Sequence, residues 1–315
     1  MKKAFKIIGK VTLCIFLALA GVILLVIGGL NAAKFAIYPD YYQIKENVCK
    51  NPGLSDGFVC QGIAVSEENG MILVSGYMKD HSASRLYITD LESNSYYVSL
   101  IKENGEKFTG HAGGVATTDD KIYRASGSKI HVISLKDVLN AKNGDEIKIC
   151  ESIKINNDTS FVYTDEEYLY VGEFHDGENY ITDHPYETAE GMHYAIISRY
   201  KIDDLSKPDK VYSVRNKVQG ACFTPDGKVV LSTSYGLADS VYYVYNESDA
   251  VDSGLTLDGA PVYYLDNCIK EIKAPAMAED VDYYDGRIIT LTESASDKYI
   301  FGKFFFANKI FTLEY

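Results

Sequence analysis

The chain has 315 residues, 46% of them hydrophobic and 24% charged, enough length and apolar content for a large packed core, which excludes a disordered or fibrous protein. It holds 31 Lys and Arg against 44 Asp and Glu, a net charge of −13. Four of those bases precede the first apolar run, leaving about −17 on the remainder, a surface that repels phosphate backbones and argues against a nucleic-acid partner.

Lys2, Lys3, Lys6 and Lys10 lead into an uninterrupted apolar stretch from Val11 to Leu30. Twenty residues at about 1.5 Å each cross a hydrocarbon core. The basic flank is expected to stay in the cytoplasm, so residues 1–10 read as a cytoplasmic stub, 11–33 as a transmembrane signal anchor contacting membrane lipid, and 34–315 as an extracytoplasmic domain. A cleaved signal peptide is the alternative; the run is long for one, and no clear cleavage site follows. The expected location is the cell membrane, single-pass.

Five cysteines follow the span: Cys49, Cys60, Cys150, Cys222 and Cys268. A domain of this size needs no staples, although Cys49 and Cys60 are close enough in sequence for one optional disulfide. Cys222, within an apolar strand, reads as a small buried hydrophobe. No C-x-x-C pattern supports a zinc ribbon or redox pair.

One pattern then recurs five times: a short apolar strand, an acidic or Gly/Asn turn, and a second apolar strand. It appears at 60–77 (CQGIAVSEENGMILVSGY), 111–127, 158–174, 218–235 (VQGACFTPDGKVVLSTSY) and 278–294 (AEDVDYYDGRIITLTES). Each copy reads as a β-hairpin. Third strands are expected at 85–91, 129–135, 195–202, 240–246 and 309–315, and fourth strands at 95–101, 146–155, 210–214 and 261–267. Four strands per unit make the blade of a β-propeller, and about 55 residues per unit makes five blades. The last unit lacks its outer strand, which residues 41–47 near the N-terminus can supply, closing the ring. The fold class is therefore all-β, a five-bladed propeller behind one transmembrane helix. The absence of tryptophan excludes the WD signature.

In such a disk the first strand starts and the second strand ends on the same face, around the central channel. That geometry collects Gln61, His111, Asp158, Gln219 and Glu279 from first-strand starts. Second-strand ends contribute Ser75, Tyr77, Glu173, His175, Tyr235 and Glu293. Long inserts at 176–194 and 296–308 leave from the same mouth. Converging carboxylates either raise one another's pKa and serve as acid and base or hold a cation such as calcium. Glu279, Glu293 and His111 are the candidate catalytic groups. Gln61, Tyr77, Glu173, Gln219 and Tyr235 are candidate ligand contacts, with buried backbone-bonding roles the alternative for the two glutamines. Arg124, inside a second strand, is expected either to pair with a channel carboxylate or to act in chemistry. No nucleophile elbow, phosphate loop, zinc-protease motif or EF-hand is present.

Residues 59–91 (VCQGIAVSEENGMILVSGYMKDHSASRLYITDL) resemble the first blade of plant-type glutaminyl cyclotransferases, five-bladed propellers that pair a Q-G strand with a later S-x-G. That family places a glutamate at the end of this blade's second strand, where this chain has Val74, Ser75 and Gly76. The 218–235 repeat also looks like strands of gluconolactonase-like and strictosidine synthase-like propellers. The resemblance implies a channel calcium held there by Glu, Asn and Asp; the matching positions here are Gln61, His111, Gln219 and Glu279. Two functions are expected from this reading. One is a tethered propeller binding a small polar ligand or a protein partner at its mouth. The other is a propeller enzyme, a lactonase-type hydrolase or a glutaminyl-cyclase-like acyl transferase.

Overall fold

The computed structural model describes residues 2–299 and 301–315; Met1 of the stub and Ile300 of the second insert lie outside them. The chain forms a five-bladed β-propeller preceded by a helix, Lys2–Ile37, whose 6–37 portion has mean hydropathy 2.9 over its most apolar window and is not buried against the rest of the protein.

Blade 1 comprises Phe58–Ser66, Met71–Met78, Arg85–Thr89 and Ser95–Ile101. Blade 2 comprises Val115–Thr117, Lys121–Ser126, Lys129–Ser134 and Glu151–Lys154. Blade 3 is Phe161–Thr164, Tyr168–Gly172, Ala195–Lys201 and Lys210–Val214. Blade 4 is Val218–Phe223, Lys228–Thr233, Ser240–Asn246 and Cys268–Ala274. Blade 5 is Ala278–Tyr284, Arg287–Thr292 and Lys309–Leu313, completed by Lys45–Lys50 from the N-terminal side. Each blade buries both faces against its neighbours, so inner and middle strands read as apolar runs: Val229, Val230 and Leu231 are all fully buried.

Three outer strands differ from the sequence expectation. The closing strand begins at Lys45, because Pro39–Ile44 forms a short helix with proline at its first turn, where a fixed φ favours helix. Tyr41 of that helix is buried edge-on against Phe311, centroids 5.8 Å apart. The fourth strand of blade 4 is Cys268–Ala274, not 261–267. Ala260–Tyr264 instead runs parallel to Lys210–Val214, and with Val251–Leu257 extends blade 3 to six strands. Segment 146–155 likewise divides: Glu146–Lys148 adds in parallel to blade 1, and only Glu151–Lys154 belongs to blade 2. Both additions occupy exposed edges that would otherwise present unpaired N–H and C=O groups. Val262 is fully buried there, whereas the true outer strand of blade 4 is mostly exposed, so apolar content pointed to the wrong segment.

All six cysteines are free thiols, so the optional Cys49–Cys60 bridge does not form. The Cys60 thiol donates to the Thr292 carbonyl at 3.4 Å and accepts from Asn51 Nδ2 at 3.3 Å, and Cys222 is buried.

Candidate active site at the channel mouth

The inner strands of blades 1, 4 and 5 each carry a β-bulge near their start. Cys60 and Gly62 pair with Gly76 and Ser75, leaving Gln61 as the extra residue; Val218 and Gly220 pair with Thr233 and Ser232, leaving Gln219. In blade 5 the irregularity falls between Ala278 and Val281, at Glu279 and Asp280. A bulge re-aims one side chain out of the strand's alternation. Here it does so three times at matching positions of the repeat, which is why Gln61, Gln219 and Glu279 gather at one mouth.

The position after each extra residue is where neighbouring blades touch. A Cβ at Gly62 would lie 2.7 Å from the Gly113 carbonyl, and one at Gly220 would lie 2.6 Å from Asp280 Cα. Blade 5 has Asp280 in this glycine column. Its carboxylate accepts from the backbone N–H of Ile63 (3.2 Å), Val115 (3.4 Å) and Val281 (3.0 Å), so it ties the inner strands of blades 5, 1 and 2 together. Aligning the repeats shows an acid among glycines there; its bridging role was not anticipated.

Above Asp280 the structure brings together Gln61, Tyr77, His111, Glu279 and Glu293. The Gln61 amide donates to Glu293 Oε2 at 3.0 Å and to the Cys60 carbonyl at 2.9 Å, while its own oxygen bonds His111 Nε2. The His111 ring lies against Tyr77, centroids 4.7 Å apart, and Lys298 of the blade 5 insert bonds the Tyr77 hydroxyl. Lys298 and the adjacent Tyr299 were not among the expected site residues; only their place on a rim insert could have flagged them.

Glu279 is 3% exposed, and its carboxyl oxygens are not among the buried polar atoms left without a partner. Burial, and then the neighbouring charges of Glu293 and Asp280, hold its carboxyl well above the usual range. Glu293 is raised to about 7, chiefly by desolvation, although Lys298, Tyr299 and Gln61 favour its charged form. Burial, and the repulsion between the two groups, thus favour the protonated form of this carboxyl pair. His111 is open to solvent at the rim, yet the groups packed around its ring, and then Lys298, lower its proton affinity.

The other expected residues sit on the same face but are engaged elsewhere. Glu173 accepts from His184 Nδ1 at 2.9 Å and from the backbone N–H of Ile196 and Asp158, both at 3.3 Å, and so fastens the blade 3 insert. His175 bonds Thr182 at 3.0 Å and stacks on Tyr194, holding the same insert. Gln219 donates to the Ser234 carbonyl at 3.3 Å, and Tyr235 accepts from Asn179 at 3.1 Å. Arg124 makes no pairing with a channel carboxylate: it is fully buried, stacked on Phe108 at 4.0 Å, and its guanidinium nitrogens have no partner among the described residues.

Among the described residues no three His, Cys, Asp or Glu side chains converge as a metal-binding group. Of the four positions matching the calcium ligands of the propellers this chain resembles, only Glu279 is a carboxylate, and the Gln61 oxygen is taken by His111, so that ligand set is not reproduced.

No family model and no curated protein matches the chain. Solved structures do match in fold. Glutaminyl cyclase from Myxococcus xanthus is 9% identical, with 86% of this chain and 95% of that one covered and a TM-score of 0.48. The PQQ-bound aldose sugar dehydrogenase of Streptomyces coelicolor is 14% identical, covering 79% and 77%, TM-score 0.43. Kuenenia stuttgartiensis hydrazine synthase is 11% identical, with 74% of this chain but only 55% of that one covered, TM-score 0.41. At such identities the likeness concerns architecture only.

A cavity of about 560 Å³ lies at the opposite mouth, floored by Tyr163, Tyr170 and Phe223 and rimmed by the hairpin tips. Three of its acids have structural partners. Asp282 accepts from the Val65 N–H at 2.7 Å, Glu247 bonds Tyr212, and Asp165 accepts from the Tyr168 N–H at 2.7 Å.

Proposed function

We propose that the protein is a membrane-tethered extracytoplasmic propeller that binds a small polar ligand at the mouth formed by Gln61, Tyr77, His111, Glu279 and Glu293. The observation that carries this reading is Glu279. A carboxyl taken almost wholly out of bulk water and crowded by the charges of Glu293 and Asp280 costs stability, and a polar ligand group placed above it would recover part of that cost. The neighbouring groups suit the same ligand: the His111 ring, the Tyr77 face and the Lys298 ammonium offer stacking and donor contacts around one opening.

An enzymatic reading is favoured by the contrast within the carboxylate pair. Burial raises both carboxyls, Glu279 further through the charges of Glu293 and Asp280, whereas Lys298, Tyr299 and Gln61 favour ionised Glu293; under this reading Glu279 serves as general acid and Glu293 as general base. This assignment is of residues and proton positions; it names no substrate.

The test is a thermal-shift screen of the full chain in detergent against sugars, amino acids, small amides and lactones. A compound that raises the wild-type melting temperature and leaves Glu279→Leu unchanged supports the site. Equal shifts in both proteins, or no shift with any compound, would remove it. Turnover of a hit that vanishes in Glu293→Gln while binding persists would select the enzymatic reading.

A further inference from the structure

The second-strand ends that deliver the site also deliver three loops with unusual tips. The blade 3 loop, 173–194, carries Tyr180 and Ile181 at 52% and 62% exposure. The blade 4 loop, 234–239, carries Leu237 at 65%, and in the blade 5 loop, 293–308, a short helix ends at Phe304 and is followed by Phe305 and the 65%-exposed Phe306. These apolar side chains lie open on adjacent blades and on one face of the disk, with only peripheral contacts inside the protein, Tyr180 to Phe174 and Phe306 to Lys34.

The N-terminal helix ends among the same loops. Asn31 Nδ2 donates to the Phe304 carbonyl at 2.7 Å, Lys34 Nζ to the Phe305 carbonyl at 3.0 Å, and the Tyr38 hydroxyl to Asp239 at 2.5 Å. The apolar run ends at Leu30, so a membrane crossed by this helix has its surface near residues 31–38. The apolar tips of blades 4 and 5 are bonded to that stretch and must lie at the same depth. The opposite face is built differently: its exposed hairpin tips carry Glu67, Glu68, Asp119, Asp120, Glu166 and Glu167, which an anionic lipid surface repels.

We propose that the propeller rests on the bilayer with its ligand mouth toward the lipid, Leu237 and Phe304–Phe306, followed by Tyr180 and Ile181, inserting at the headgroup boundary as interfacial anchors do. The occupant of this apolar face is the bilayer itself. The inference rests on the helix being a retained anchor. Its consequence is that a ligand of the Glu279 site enters at the membrane surface, through the space between the rim loops, rather than from bulk solvent.

The chain contains no tryptophan, so one introduced tryptophan reports alone. The full chain, reconstituted into phosphatidylcholine–phosphatidylglycerol vesicles containing a phosphatidylcholine spin-labelled either near the headgroup or deep in its acyl chain, is compared in four single variants. These are Ile23→Trp in the helix, Leu237→Trp and Phe306→Trp on the rim, and Glu68→Trp on the far face. The proposal expects Ile23→Trp to lose most of its fluorescence to the deep quencher, both rim variants to lose most of theirs to the headgroup quencher, and Glu68→Trp to keep it with either. Quenching of Ile23→Trp alone, or equal quenching of Glu68→Trp and the rim variants, overturns the orientation while leaving the anchor intact. No quenching at any position, Ile23→Trp included, overturns the anchor reading and the proposal with it. The rim positions are exposed, and two independent ones guard against a single misfolded variant.

Discussion

At the scale of single residues, two neighbouring acids in blade 5 do opposite things. Asp280 accepts three backbone N–H groups from three inner strands, so its removal leaves three buried donors unpaired. Asp280→Ala is expected to destabilise the protein by about 3 kcal/mol or more, seen as a lowered melting temperature of the full chain. Glu293 contributes through pH. Its pKa in the folded protein, about 7, lies above the ordinary 4.5, so the folded state binds more protons between those values. Stability from this group is greatest below about pH 4.5 and is lost as pH rises through 7. Melting temperatures from pH 5 to pH 8 should therefore fall more steeply in wild type than in Glu293→Gln. Parallel slopes would show that Glu293 is ordinary.

At the scale of elements, the bulge is the device that makes the site. It was invisible as geometry in the sequence, but its products were not: C-Q-G, V-Q-G and A-E-D at the start of three repeats gave Gln61, Gln219 and Glu279 the same address. The hairpins of all five blades were legible because inner strands are apolar runs broken by acidic turns. Outer strands were not. Two segments outside the blade pattern, Glu146–Lys148 and Ala260–Tyr264, pair in parallel with the preceding blade, and no local signal distinguishes a fifth strand from a fourth. The engaged roles of Glu173 and His175 were equally hidden, since they depend on an insert folding back over its own blade. Ring closure can be tested at this scale. Lys309–Leu313 holds both Arg287–Thr292 and Lys45–Lys50, so ending the chain at Ala307 removes the link between the two ends. That truncation is expected to abolish cooperative thermal unfolding and to leave blade 5 open to proteolysis. A protease-resistant core with a wild-type melt would show the clasp to be dispensable.

At the scale of the whole molecule, the disk has two unlike faces. One bears the bulged residues, the long inserts and the end of the apolar helix. The other bears acidic hairpin tips over a cavity of about 560 Å³ in which Asp165, Glu247 and Asp282 serve turns and packing bonds. We place the ligand site at the first mouth instead, on the buried, charge-crowded Glu279. The most direct measurement of this choice is the melting temperature of Glu279→Leu beside that of Asp282→Ala. A functional carboxyl buried among other acids makes the protein less stable than it need be, whereas one that bonds backbone N–H groups stabilises it. Glu279→Leu is expected to melt several degrees above wild type, at about 2–4 °C per kcal/mol, and Asp282→Ala to melt below it. A Glu279→Leu protein that melts below wild type would show that this carboxyl holds the fold together, and would contradict the assignment of the ligand site to this mouth.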